Sequence, residues 1–119
     1  MAIQLNQAAL RHARALIREG KVVRDERDEW SEAAPTPDEE NGFIEREGWT
    51  QYSHWHIGVD RREDAETKGA YSFPFGDFRR VHRSGVIAGE SRAGQHDHTE
   101  IRDAMKSLLD LIDEDDGKS

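Results

Sequence analysis

The side chains best suited to chemistry in this chain are its histidines. Four of the six come in two pairs with one residue between them, His54 with His56 and His96 with His98. Imidazole nitrogens from two such pairs, joined by an oxygen from Asp97 or Glu100, would suit Zn²⁺, Ni²⁺ or Cu²⁺. His-x-His turns both rings to one side only on a strand. The spacing here instead reads residues 49–57 as a helix and 96–98 as a helix cap. On that reading His56 belongs to an apolar stripe, and His96 and His98 flank a capping residue. Structural histidines are therefore the leading reading, a metal site at His54, His56, His96 and His98 is the alternative, and no cofactor is expected.

Serine and carboxylate chemistry has less to build on. Ser91 and Glu90 lie beside Arg92, and Ser84 follows Arg83, yet neither serine has the glycine elbow or oriented base that activates a hydroxyl. Gly85-Val-Ile-Ala-Gly89 lacks the Lys-Ser/Thr that completes a phosphate loop. With 25 acidic residues in 119, a pair of carboxylates carries little information. No catalytic residue is assigned; the reading leans toward a non-enzyme, with a histidine-dependent metal-binding protein or small enzyme as the alternative.

Two further groups are candidates for a ligand or partner. Arg79, Arg80, Arg83 and Arg92, with Lys68 nearby, read as a basic face able to contact phosphate or acidic groups. The acid-rich stretch from Asp25 to Glu47 offers the same arginines partners within the chain or in a neighbouring subunit. Gly85 and Gly89, followed by Ala93 at the same spacing of four, leave a groove where another backbone can approach. The net charge of −8 repels a phosphate backbone over most of the surface, so nucleic-acid contact through the Arg79–Arg92 face is a third reading only.

Several elements must position these groups. Asn6 caps a first helix with Leu10, Ala13, Leu16 and Ile17 on one side, and Gly20 ends it. Val22-Val23 suggests a short extended piece, and the charged run 24–32 a solvated helix ending near Trp30. Thr36, Pro37 and Glu39 spell a helix start with a capping box; Phe43 and Ile44 face inward and Gly48 stops the helix. Trp49, Tyr52 and His56 repeat at helical intervals, which predicts a helix over 49–57 ended by Gly58; a strand with Tyr52, His54 and His56 on one face is the alternative. Residues 60–69 read as a loop and 70–75 as extended, since Pro74 keeps Phe73 out of helix.

Asp77 caps the next predicted helix, with Phe78, Val81, His82, Gly85, Val86 and Gly89 along one face. Asp97 caps the last, with Glu100 in the capping-box place. There Ile101, Met105, Leu108 and Ile112 form the cleanest amphipathic stripe of the chain.

These elements sum to a mainly α fold: four or five short helices around a small aromatic core, with an extended segment near 70–75. Residues 1–119 form a single domain with a flexible acidic tail over 114–119. At 34% hydrophobic and 35% charged residues the core is thin, and the aromatics gathered between Trp30 and Phe78 must supply much of it. There is no cysteine, hence no disulfide or thiolate metal site. No leader segment and no window near the roughly 20 apolar residues of a membrane span is found, so a cytoplasmic protein with no membrane contact is expected.

The segment from Lys68-Gly69-Ala70-Tyr71-Ser72-Phe73-Pro74-Phe75-Gly76-Asp77 through His98, with Trp30-Ser31 and Asp38-Glu39-Glu40-Asn41 before it, resembles a family of short, uncharacterised bacterial proteins over most of the chain. The part from Tyr71 to Ile112 is more loosely similar to tail modules of some phage head-maturation proteins. The resemblance implies a fold unit and carries over no catalytic residue. The functional expectation is a small binding or interaction protein, homo-oligomeric or bound to another protein, through Arg79, Arg80, Arg83, Gly85, Gly89 and Arg92.

Overall fold

Asn6 ties the start of the fold together. In the computed structural model, which describes residues 3–116, a first strand β1 (Ile3–Leu5) runs into helix α1 (Gln7–Arg18), and Asn6 sits between them, buried. Its side-chain oxygen accepts from the amide of Ala9, while its amide group donates to the carbonyls of Ser53 at 2.9 Å and His56 at 3.1 Å. One residue thus caps a helix and fixes the sheet beside it. Gly20, at φ +79°, turns the chain out of α1 into β2 (Val22–Val23).

A single 3-10 turn at 27–29 and a one-turn helix α2 (Trp30–Ala33) follow, where one solvated helix over 24–32 is predicted from sequence. Helix α3 (Pro37–Glu47) starts as its residues dictate, with the Thr36 hydroxyl and the Glu39 carboxylate each taking the other's amide. Gly48, at φ +90°, closes it.

The predicted helix 49–57 is corrected here. Helix α4 covers only Trp49–Ser53, and the chain then extends as β3 (His56–Asp60), with Gly58 in mid-strand. Strand β4 (Tyr71–Pro74) pairs antiparallel with β3, and β1 pairs antiparallel with its other edge, giving the order β1-β3-β4. Gly58 is required because a Cβ there would lie 2.8 Å from the Phe73 ring and 2.5 Å from the Ser72 hydroxyl.

Asp77 caps no helix. Its carboxylate does receive the amides of Arg79 and Arg80, but Phe78 lies at φ +71°, a conformation that ends any helix, and the chain first extends as β5 (Val81–His82). Helix α5 (Arg83–Gln95) begins only there, so Phe78, Val81 and His82 lie outside it. Strand β5 pairs parallel with β2 in a separate two-residue ribbon. Helix α6 (Thr99–Asp116) starts two residues past Asp97, which takes a left-handed conformation at φ +58°. It continues through Asp116, into the stretch expected to be tail; residues 117–119 lie outside the described residues.

The fold is mainly α, with four helices of 12, 11, 13 and 18 residues and two single turns. Ile101, Met105, Leu108 and Ile112 on α6 are buried against α1, β3 and α5, as the stripe predicts. Apart from Trp30, the aromatic residues join the same cluster, with Phe43 stacked on Phe78 and Trp55 on Phe75. Among the described residues no helix is long and apolar enough to cross a membrane.

Candidate functional site

The β2–β5 ribbon sets Val23 opposite His82, and so brings Asp25 to a histidine 57 residues away. His82 Nδ1 lies 2.8 Å from one Asp25 oxygen, and Nε2 lies 2.9 Å from one Asp77 oxygen. Each carboxylate also uses its other oxygen. Asp25 accepts the amide of Ser84 at 2.8 Å, and Asp77 accepts those of Arg79 at 3.0 Å and Arg80 at 2.8 Å. Both bonds to the ring need an N–H, so the bridge is complete only with the imidazole doubly protonated.

Burial alone lowers the pKa of His82, but the two carboxylates outweigh it and hold the ring above the ordinary histidine value. Burial likewise raises Asp25 and Asp77, and their hydrogen bonds to His82 and to backbone amides outweigh it, so both stay below the usual carboxylate range. The Ser84 hydroxyl sits by Asp25, fully buried and without a well-formed hydrogen bond. A serine closed to solvent cannot reach a substrate, and a ring with both nitrogens bonded to carboxylates presents neither of them to one.

On the far side of Asp77 lies an open cleft of about 810 Å³, between α3 and the turn at 77–79. Gly76 lets that turn close, since a Cβ there would lie 2.6 Å from the Trp55 ring. Phe43 and Phe78, stacked at 4.4 Å, and Trp55 line the cleft with aromatic surface. Glu32, Asp38 and Glu47 edge it, together with Arg46 and Arg79. His12 also lines it, edge-on to Trp55, with its Nε2 sealed and unpartnered. Burial first, and the neighbouring His54 second, lower the pKa of His12.

The residues singled out in the sequence are dispersed. His54 packs near His12, while His56 is buried in β3 with Nδ1 donating to the Tyr52 carbonyl at 2.9 Å. His96 and His98 stand side by side, with His98 edge-on to Phe73. Among the described residues, no group of three or more histidine or acidic side chains is placed to hold a metal ion.

The predicted basic face is divided. Arg79 and Arg80 sit on the turn before β5, whereas Arg83 and Arg92 lie on α5, about two and a half helical turns apart and so on opposite sides. Arg83 pairs with Asp113 at 2.9 Å and approaches Glu26, and Arg92 lies over the Phe73 ring. The glycine groove is filled from within the chain: a Cβ on Gly85 would meet the Trp30 ring at 2.9 Å, and one on Gly89 would meet Met105 at 2.5 Å.

Sequence reasoning missed the Asp25–His82–Asp77 bridge. The one signal was a pair of two-residue runs, Val22-Val23 and Val81-His82, able to pair as strands, with Asp25 two residues after the first and Asp77 four residues before the second. No protein-family model matches the chain, and no curated protein or solved structure matches it.

Proposed function

We propose that this protein is a small non-enzymatic binding module of the bacterial cytoplasm, and that the cleft between α3 and the 77–79 turn receives a basic segment of a partner protein. One observation carries the reading: Glu32, Asp38 and Glu47 edge an aromatic-lined cleft and form no ion pair among the described residues. Glu39 and Asp77, which also line it, are already engaged by Thr36 and His82. Lysine and arginine side chains complement such a rim, and their alkyl stems and cationic heads suit aromatic surface. Two observations argue against catalysis: the sealed Ser84 hydroxyl and the doubly engaged His82 ring. Self-association through the glycine groove loses its motive, because Trp30 and Met105 already occupy it.

The test is an amide NMR titration with a short lysine- and arginine-rich peptide. Saturable shifts are expected at Gly42, Gln51 and Phe78, with Asp103 and Asp110 on the exposed side of α6 unmoved. Equal shifts at both places would reduce the binding to general charge attraction, and no shift at the cleft would remove the reading altogether.

A further inference from the structure

We infer that Asp25, His82 and Asp77 form a protonation-dependent latch that holds the Asp77–Phe78–Arg79 lip of the cleft in place. Its consequence for binding rests on the function proposed above; the latch itself does not.

The lip is strained, and besides the Asp77 N–H bond to the Arg80 carbonyl at 3.2 Å and the stacking of Phe78 on Phe43, one side chain holds it. Phe78 has φ +71°, a conformation costly for an aromatic residue and kept only where the surroundings fix it. What fixes it is the Asp77 carboxylate, which receives the amides on the far side of Phe78, those of Arg79 and Arg80, and also His82 Nε2. The His82 backbone is in turn anchored by its amide bond to the Phe75 carbonyl and by the β2–β5 ribbon. The imidazole therefore ties the Asp77 side chain of the lip to a firm frame.

Removing one proton from His82 leaves a ring nitrogen whose lone pair faces a carboxylate oxygen. The bond that gives way is the one to Asp77. Its side chain is 32% exposed against 11% for Asp25, so water can replace the ring there. Once Asp77 swings out, the turn carries Phe78 off the Phe43 ring and the aromatic lining of the cleft is lost.

The charged groups around His82 leave this reading intact. Asp25 comes from the segment after β2, and Asp77 from the turn, whose Arg79 and Arg80 side chains are exposed. Arg83, at the start of α5, is directed to Asp113 and Glu26, and Trp30 of α2 offers an uncharged ring. Arg24 and Glu26 flank Asp25 on its own segment, and both are exposed. Only the two carboxylates hydrogen-bond the imidazole.

The experiment follows the unmodified protein by NMR from pH 5 to 9, reading the His82 ring and the amides of Asp77 to Arg80 and of Phe43. All should move with one midpoint, above the ordinary histidine value, and amide exchange in the lip should rise beyond the base-catalysed trend as His82 deprotonates. Asp77→Asn should lower the ring's midpoint and leave the lip open at pH 6. Lip amides that stay still while the ring titrates would overturn the latch, as would a lip midpoint that does not follow His82 in the variant.

The basic peptide then separates the two proposals. If the latch holds, its affinity should fall at least about fivefold above the midpoint, the low end for coupled sites. A lip that moves as expected, with no peptide bound at any pH, would uphold the latch and remove the cleft reading.

Discussion

Two histidines in this molecule are almost equally buried, His56 at 3% exposure and His82 at 7%, and they are driven to opposite charge states. His56 lies among the rings of Tyr52 and Tyr71, and its one polar partner is the Tyr52 carbonyl. Burial pushes its pKa down to about 4, against the smaller upward pull of that carbonyl and of Glu40. Glu40 does not bond the ring; its carboxylate accepts from Tyr52 and pairs with Lys68 at 3.2 Å. His82 has a carboxylate in hydrogen-bond contact with each nitrogen and is pushed up. Burial alone does not decide a histidine's charge. Whether a carboxylate reaches the ring does.

The largest break in this comparison should come from Asp25→Ala. It leaves a buried imidazolium short of one partner and the Ser84 amide without its acceptor, and is expected to cost about 4 kcal/mol in urea unfolding at pH 6. A loss below about 1 kcal/mol, ordinary for a neutral hydrogen bond, would mean that His82 is uncharged in the folded protein.

Next in size is the pH dependence of stability. The folded pKa of His56 lies below its unfolded value of 6.5, so its contribution is present above that pH and lost as pH falls toward about 4. The loss is about 3 kcal/mol by linkage. For His82 the sign is reversed: its folded pKa is raised, so its contribution is full below pH 6.5 and lost as pH rises through the folded value. Asp25 and Asp77, both lowered, lose theirs only in acid, below their ordinary 3.8. His56→Gln should therefore extend the stable range toward acid, and His82→Gln should move the optimum toward alkali. Denaturant midpoints across pH 4–9 would show it, and shifts in the same direction would dissolve the contrast.

The smallest effect sharpens the His56 side. Tyr52→Phe removes the hydroxyl bond to Glu40 but keeps the carbonyl that orients His56. A cost of about 0.5–1 kcal/mol is expected, with the His56 ring still neutral at pH 6 by NMR. A ring that becomes charged would show that the tyrosine hydroxyl had been holding Glu40 away.

The difference between the two histidines was illegible in the sequence for a specific reason. Elements set by neighbours a few residues apart read correctly: the Asn6 and Thr36 caps, the Val22-Val23 strand and the α6 stripe. His56 was placed on a helix because Trp49, Tyr52 and His56 satisfy its spacing, yet the Asn6 side chain binds the carbonyls of Ser53 and His56 and thereby favours extension from His56. Asp77 looked like a helix cap because an Asx turn and a helix start both use a carboxylate to receive the following amides. The partners of His82 come from residues 25 and 77, and nothing local links the first to residue 82.

The two-residue β2–β5 ribbon has a consequence for the order of folding. Helices α5 and α6 are joined by a three-residue connection, so their contact closes almost no loop. The ribbon must close a loop of nearly sixty residues before its few hydrogen bonds return anything, a search that slows with chain length. The helical hairpin is thus expected to form before the ribbon, and until the ribbon closes His82 lacks the Asp25 carboxylate. The bridge is complete only once that loop has closed, so the closing step is the one whose rate is expected to vary with the protonation of His82, while the pairing of α5 with α6 is not.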